Sequence, residues 1–358
     1  MGKKEMNDRQ HPLLCNEGPW KNNSNSVWLG STVTLNRNLE KFKFPAKLSP
    51  EGRKQIISLI SKDLLASSFL KKPKLFKAEE MPPLDKEFLV EHFLSPYSFH
   101  QAQAGEAFIL DDSGAFLGIL NLNDHLSLQW LDCHEELEDA WSRLVSLEGE
   151  LTKAVSFAFS SRFGFLTSDP SQCGTALVAH VFLHLPGLIY SGKLEEIIKK
   201  YKEDGILQTG LQGDPNEMIG DIVAFHNAYT LGVTEENILT SLRTLTTKVL
   251  MEEKSARALI KSQNASAMKD KVSRAYAILL HSYQIEAIEA LNAISLLKLG
   301  VDLEWITGID HAALNELFFN CRRAHLLCQC DNKMSQEEIP HKRAEFIHRA
   351  LKNTTLHI

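Results

Sequence analysis

Residues 121–129 read Asn-Leu-Asn-Asp-His-Leu-Ser-Leu-Gln. In an extended chain, alternation puts Asn123, His125, Ser127 and Gln129 on one face, opposite Leu122, Leu126 and Leu128. A polar row on a sheet face lines either water or a site. Asn123 cannot accept a proton at physiological pH, which limits the base chemistry open to such a face. A second group, Cys321, His325, Cys328 and Cys330, offers soft ligands close together in sequence. One Cys-x-Cys without a second ligand pair is a poor zinc signature, so this stretch reads as plain helix or loop and no metal is expected.

The elements that must position these residues follow from periodicity. Residues 26–39 alternate and are rich in β-branched side chains, as a strand requires. Pro50 in first-turn position opens a helix in which apolar residues recur at helical spacing. Residues 116–131 give the clearest strand or hairpin pattern, with Leu120, Leu122, Leu126, Leu128 and Trp130 sharing one parity. A long helix is predicted over 134–159, its stripe formed by Leu137, Trp141, Leu144, Leu151 and Val155. Residues 174–188 read as a buried helix ended near Pro186, and 192–205 as a short helix bounded by glycines. Residues 206–232 are strand and turn material. From Thr234 the pattern is helical to about residue 350. The expected fold class is therefore α+β, followed by an all-helical C-terminal region.

The chain has 358 residues, enough for one large or two ordinary domains. It is 44% hydrophobic and 23% charged, with a formal charge of −6 and no long charged block. This balance gives no electrostatic case for nucleic acid or an anionic membrane as partner. The N-terminal residues lack a signal-like apolar stretch, and the longest apolar run is broken by His180, His184 and Pro186. The six cysteines show no paired framework, in keeping with free thiols and a cytoplasmic location.

Four segments, in order, resemble the guanidino (phosphagen) kinases, and most closely the bacterial protein arginine kinases. Residues 121–125 match that family's Asn-Glu-Glu-Asp-His. Residues 166–186 resemble its Leu-Thr-x-Cys-Pro-x-Asn-x-Gly-Thr-Gly-Leu-Arg-Ala run ending in Leu-Pro. Residues 209–232 resemble its Arg-Gly-x-x-Gly-Glu turn and following strand, and residues 30–39 its Ser-Ser-Arg-Ile-Arg-Leu-x-Arg-Asn. Residues 298–303 look like the helical C-terminal part of the bacterial branch. The resemblance implies an antiparallel sheet flanked by helices over 26–250, a helical domain over 251–358, and a flexible segment over 1–25. It further implies phosphoryl transfer from magnesium-ATP to a guanidinium group, which needs dense positive charge around the triphosphate and a base to orient the nucleophile.

Carried over residue by residue, the five arginines that supply this charge fall at Thr32, Thr34, Ser127, Val178 and Thr209. The two glutamates of the first motif fall at Leu122 and Asn123, and the reactive cysteine at Asp169, with Cys173 four residues later. His92 matches a histidine the family often has near the adenine; the alternative is a partly buried ring beside Phe93. Asn121, Asp124, His125, Thr167, Ser168, Pro170, Gly174, Thr175, Leu185, Pro186, Gly210, Gly213, Arg37 and Asn38 are retained, largely turn formers and packing residues. Near the C-terminus, Arg343 and Ala344 match the end of a phosphoarginine-reading motif whose first two residues are replaced by Ile339 and Pro340; the alternative for Arg343 is an exposed residue on the last helix.

Removing one transition-state donor costs roughly 3–4 kcal/mol. Losing five cations and the base leads to the expectation of a pseudokinase that binds no cofactor and serves as a binding, scaffold or regulatory adaptor protein. An active transferase with a rebuilt site is the alternative, requiring other Lys or Arg side chains (Lys41, Lys43 or Arg162 are near the matched segments) to converge on the old pocket. The resemblance also implies protein partners, a small zinc-finger activator or a protease-chaperone complex, and a homodimer.

Overall fold

The computed structural model describes residue 13 and residues 18–201, 205–263, 265–330 and 334–358. In chain order, β1 (Trp28–Arg37) leads to α1 (Pro50–Ala66), β2 (Lys74–Lys77) and α2 (Pro83–His92). The hairpin β3 (Ala107–Leu110) and β4 (Phe116–Leu120) continues into β5 (Leu126–Asp132) and α3 (Leu137–Leu151). A two-residue ladder, β6 (Phe159–Ser160) with β7 (Gly164–Phe165), precedes β8 (Leu177–His184), α4 (Pro186–Tyr190) and α5 (Leu194–Lys200). Then come β9 (Ile206–Gly210) and β10 (Ile222–Asn227). The C-terminal part holds α6 (Glu235–Ser262), α7 (Ser266–His281), α8 (Ala287–Asp302), β11 (Ile306–Thr307), α9 (His311–Asn320), α10 (Arg323–Cys328), α11 (Ile339–Leu351) and β12 (Thr355–Leu356).

Eight strands form one antiparallel sheet in the order β2-β3-β4-β5-β1-β8-β10-β9. Strand parity gives the sheet two different faces. One carries Val33, Leu35, Leu126, Leu128, Leu177, Ala179, Val181 and Phe225 against α1, α3 and α6, closing a continuous core. The other is divided along the strands. At one end Leu29, Leu131, Phe182, Ile222 and Ala224 pack into the core of the helical C-terminal region. At the other end the same face carries Thr32, Thr34, Asn36, Ser127, Gln129 and His180, which no helix covers and which line a cavity.

Local chemistry sets the helix starts. Ser49 accepts the Gly52 N–H ahead of Pro50, and Thr234 accepts the Asn237 N–H at the head of α6. Two retained glycines stand where backbones approach closely. A Cβ on Gly174, whose φ is +111°, would lie 2.2 Å from the Thr230 carbonyl oxygen. One on Gly210 would lie 1.9 Å from that of Glu217.

Residues 177–184 form the strand β8 rather than the predicted helix. Flanked by β1 and β10 and covered on both faces over much of its length, it reads as a continuous apolar run, which periodicity does not separate from a buried helix. The predicted helix over 134–159 is limited to α3; Val155 lies beyond its end and Trp141 is half-exposed. The C-terminal region is not wholly helical, since β11 pairs with β12. Residue 250 lies inside α6, which continues without a break to Ser262. Of the segment 1–25, residues 1–12 and 14–17, Cys15 among them, lie outside the described residues. Trp20 is buried and stacks on Phe319 with ring centres 4.0 Å apart. Cys133, Cys173, Cys321 and Cys328 carry free thiols. No described helix is long and apolar enough to cross a membrane.

Candidate active site

The uncovered end of the sheet face forms the floor of a cleft. Thr34 of β1 faces Gln129 of β5 on one side and Val178 of β8 on the other. Thr32 faces His180, and His180 in turn faces His226 of β10. Thr32, Thr34, Ser127, Val178, Leu122, Asn123 and Asp169 line one cavity of about 530 Å³. Thr209 lines an adjoining cavity of about 370 Å³, which shares Pro96, Tyr97, Gln172, Val178 and His180 with the first. Residues scattered from 32 to 209 in sequence thus meet in one place because β1, β5, β8 and β9 present the same parity to it.

The floor is held by neutral hydrogen bonds. Ser127 Oγ donates to Asn36 Oδ1 at 2.6 Å, and Gln129 Nε2 donates to the Phe93 carbonyl at 2.8 Å. Charged groups stand at the walls. Arg53 donates to Glu106 at 2.9 Å and to the Pro45 carbonyl at 3.0 Å. Asp124 accepts from Asn38 Nδ2 at 2.6 Å and from the Ser168 N–H at 2.7 Å. Asp169 accepts from the hydroxyl and the N–H of Ser171, which hold its carboxyl below the usual range. Arg53 is the one lysine or arginine among the described residues lining the two cavities. Lys41, Lys43 and Arg162 do not line them. Arg37 points to the opposite face, where it pairs with Glu148 at 2.5 Å and lies over the Phe165 ring.

Two residues expected at the site, His125 and His92, lie elsewhere. His125 does not share the floor with Ser127, because residues 121–125 form the turn between β4 and β5 and strand parity does not hold there. Its Nδ1 accepts the Leu39 N–H and its Nε2 bonds the Lys43 carbonyl, so the ring fastens loops behind the cleft. Asn121, at φ +59°, donates to the Arg53 and Gly105 carbonyls, and with Asp124 and His125 it holds the strand end in place. His92 is buried between the sheet domain and the C-terminal helices, bonding the Gly114 carbonyl at 2.8 Å and stacked on His325. Burial, then the neighbouring His325, pushes its pKa well down. Arg343 is buried, not exposed, with its guanidinium on the Cys321 and Ile285 carbonyls. His325, in the cysteine-rich stretch, is occupied by Glu91 at 3.1 Å. Among the described residues no three His, Cys, Asp or Glu are grouped to hold a metal.

The comparisons with known proteins agree with this geometry. Residues 55–256 match the family model of the ATP:guanido phosphotransferase C-terminal catalytic domain, and residues 265–357 that of the protein-arginine kinase McsB C-terminal domain. The chain is 37% identical over 299 residues to a protein-arginine kinase of Chlamydia muridarum, covering 83% of each chain. It is 32% identical over 352 residues to one of Bacillus cereus, covering 98% of each. The chain belongs to the protein-arginine kinase family. That family is one of ATP-dependent phosphotransferases. Solved structures share the fold: a lombricine kinase superposes with a TM-score of 0.57 at 19% identity, covering 65% of this chain and 67% of that one. A duplicated taurocyamine kinase from Schistosoma mansoni gives 0.56 at 24%, covering 74% of this chain and 40% of that one.

His180 and His226 were not singled out in the sequence as site residues. The signal was present: once 177–184 is read as a strand, His180 shares parity with Val178 and points to the same floor. For this kinase-family fold the floor is the place where the family resemblance puts phosphate-binding arginines.

Proposed function

We propose that this member of the protein-arginine kinase family is catalytically degenerate and acts as a binding, scaffold or regulatory adaptor protein. The observation that carries the reading is the charge of the cleft. All five positions at which the resemblance puts arginines line it, and they hold Thr32, Thr34, Ser127, Val178 and Thr209. Burial, and then His226, lowers the pKa of His180 to about 3, so its ring adds no charge at neutral pH. A magnesium triphosphate requires several cations around it. Arg53, already bonded to Glu106 and a carbonyl, does not supply them, and Asn123 stands where a base is needed. The residues present therefore do not fit magnesium-ATP.

The same reading takes a protein as partner, with a small zinc-finger activator or a protease-chaperone complex as the family-derived candidates. A homodimer and a cytoplasmic location belong to the same proposal. The competing reading is an active but divergent arginine kinase. Its support is family membership across nearly the whole chain, including the helical C-terminal domain.

Calorimetry with magnesium-ATP and a search for phosphoarginine on a substrate protein incubated with the purified chain separate the two. The degenerate reading expects neither saturable nucleotide binding nor phosphoarginine. Arginine phosphorylation that persists through purification to homogeneity overturns it.

A further inference from the structure

We propose that His180 and His226 form a two-histidine site for a divalent transition-metal ion of the zinc or copper type on the floor of the cleft. The two residues are direct cross-strand partners on β8 and β10, and both line the 370 Å³ cavity. Their ring centres are 5.0 Å apart, with the planes tilted by 31°. Two imidazoles bound to one ion through bonds of about 2.0–2.1 Å, at a near-tetrahedral angle, have ring centres about 5 Å apart. The ring spacing is compatible with chelation of a single ion.

The hydrogen bonding points the same way. His180 is only 9% exposed, yet neither ring nitrogen has a hydrogen-bond partner among the described residues. The ring lines the cavity, so its nitrogens are available to a bound group. His226 bonds the Asn227 carbonyl through Nδ1 at 3.3 Å, which leaves Nε2 as the lone-pair nitrogen. A carbonyl bonded to the other ring nitrogen fixes the tautomer of a ligating histidine. Imidazole pairs suit zinc, copper and nickel, whereas magnesium prefers oxygen ligands. With no third His, Cys, Asp or Glu grouped there among the described residues, the remaining coordination positions open into the cleft, to water or to a donor atom of a bound molecule.

The site is independent of whether the chain phosphorylates arginine. The test is titration of the full chain with Zn²⁺ by calorimetry, and with Cu²⁺ by electron paramagnetic resonance, beside the variants His180→Asn and His226→Asn. One ion is expected to bind the wild type at least about tenfold more tightly than either variant, since losing a ligand costs no less than losing the group that orients it. Two nitrogens are expected in the copper spectrum, falling to one in each variant, and Mg²⁺ is expected not to compete. His226 is only partly buried, so its variant serves if His180→Asn fails to fold. Equal affinity in wild type and the His226 variant, or no saturable one-to-one binding to the wild type, overturns the proposal.

Discussion

One face of the eight-stranded sheet is used in two ways. Under the C-terminal helices, Phe182 and Ala224 are buried in a packed core; two residues away along the same strands, His180 and His226 look into a cleft. The strands are continuous, so the backbone cannot be the source of the difference. It comes from what covers each end. Where helices cover the face, apolar side chains contribute to stability and polar ones are tied into networks such as Asp221 with Ser295 at 2.5 Å. At the other end no helix packs on the face, and its polar residues border a cavity.

That contrast can be broken at several points. Phe182→Ala empties a buried site and is expected to cost about 3–5 kcal/mol in denaturant unfolding. A loss below 1 kcal/mol would mean that the helical half does not hold the sheet. The next effect is a pH dependence. Burial raises the Asp221 carboxyl from 3.8 to about 6. Between these values the folded chain binds more protons than the unfolded one, so this residue's contribution is full below the lower value and is lost as pH rises through the upper. The unfolding free energy of wild type relative to Asp221→Asn is expected to fall with rising pH in that window, by at most about 1.4 kcal/mol per unit. Asp124→Ala removes the acceptor for Asn38 and the Ser168 N–H behind the cleft and should cost about 1–3 kcal/mol. The smallest effect belongs to the open half: Thr34→Ala should change stability by less than about 0.5 kcal/mol. A larger loss there would show that the cleft floor is structural after all.

Much of the site was legible in the sequence because it rests on alternation within single strands. Parity alone puts Ser127 with Gln129 on one face, and the resemblance places Thr32 and Thr34; all four line the same cavity. The errors arose where parity stops. His125 sits in a turn, and a turn rotates the next side chain off the strand's face. His92 was assigned by resemblance to a pocket, but its ring is drawn into the helical interface by Trp20, Phe88 and His325. Residues 177–184 were misread because a strand buried on both sides loses its period-two pattern, and with that error His180 went unnoticed.

By itself, then, the sequence determined the local elements with clear periodicity, the family, and the absence of arginine at five positions. It could do so because side-chain type and spacing are properties of short stretches. Only the tertiary structure decided that those five positions share one cleft, that Arg343 is buried, and that His180 meets His226. Each depends on the pairing of strands or the packing of helices distant in sequence, and that pairing is settled by which faces the whole chain can bury together.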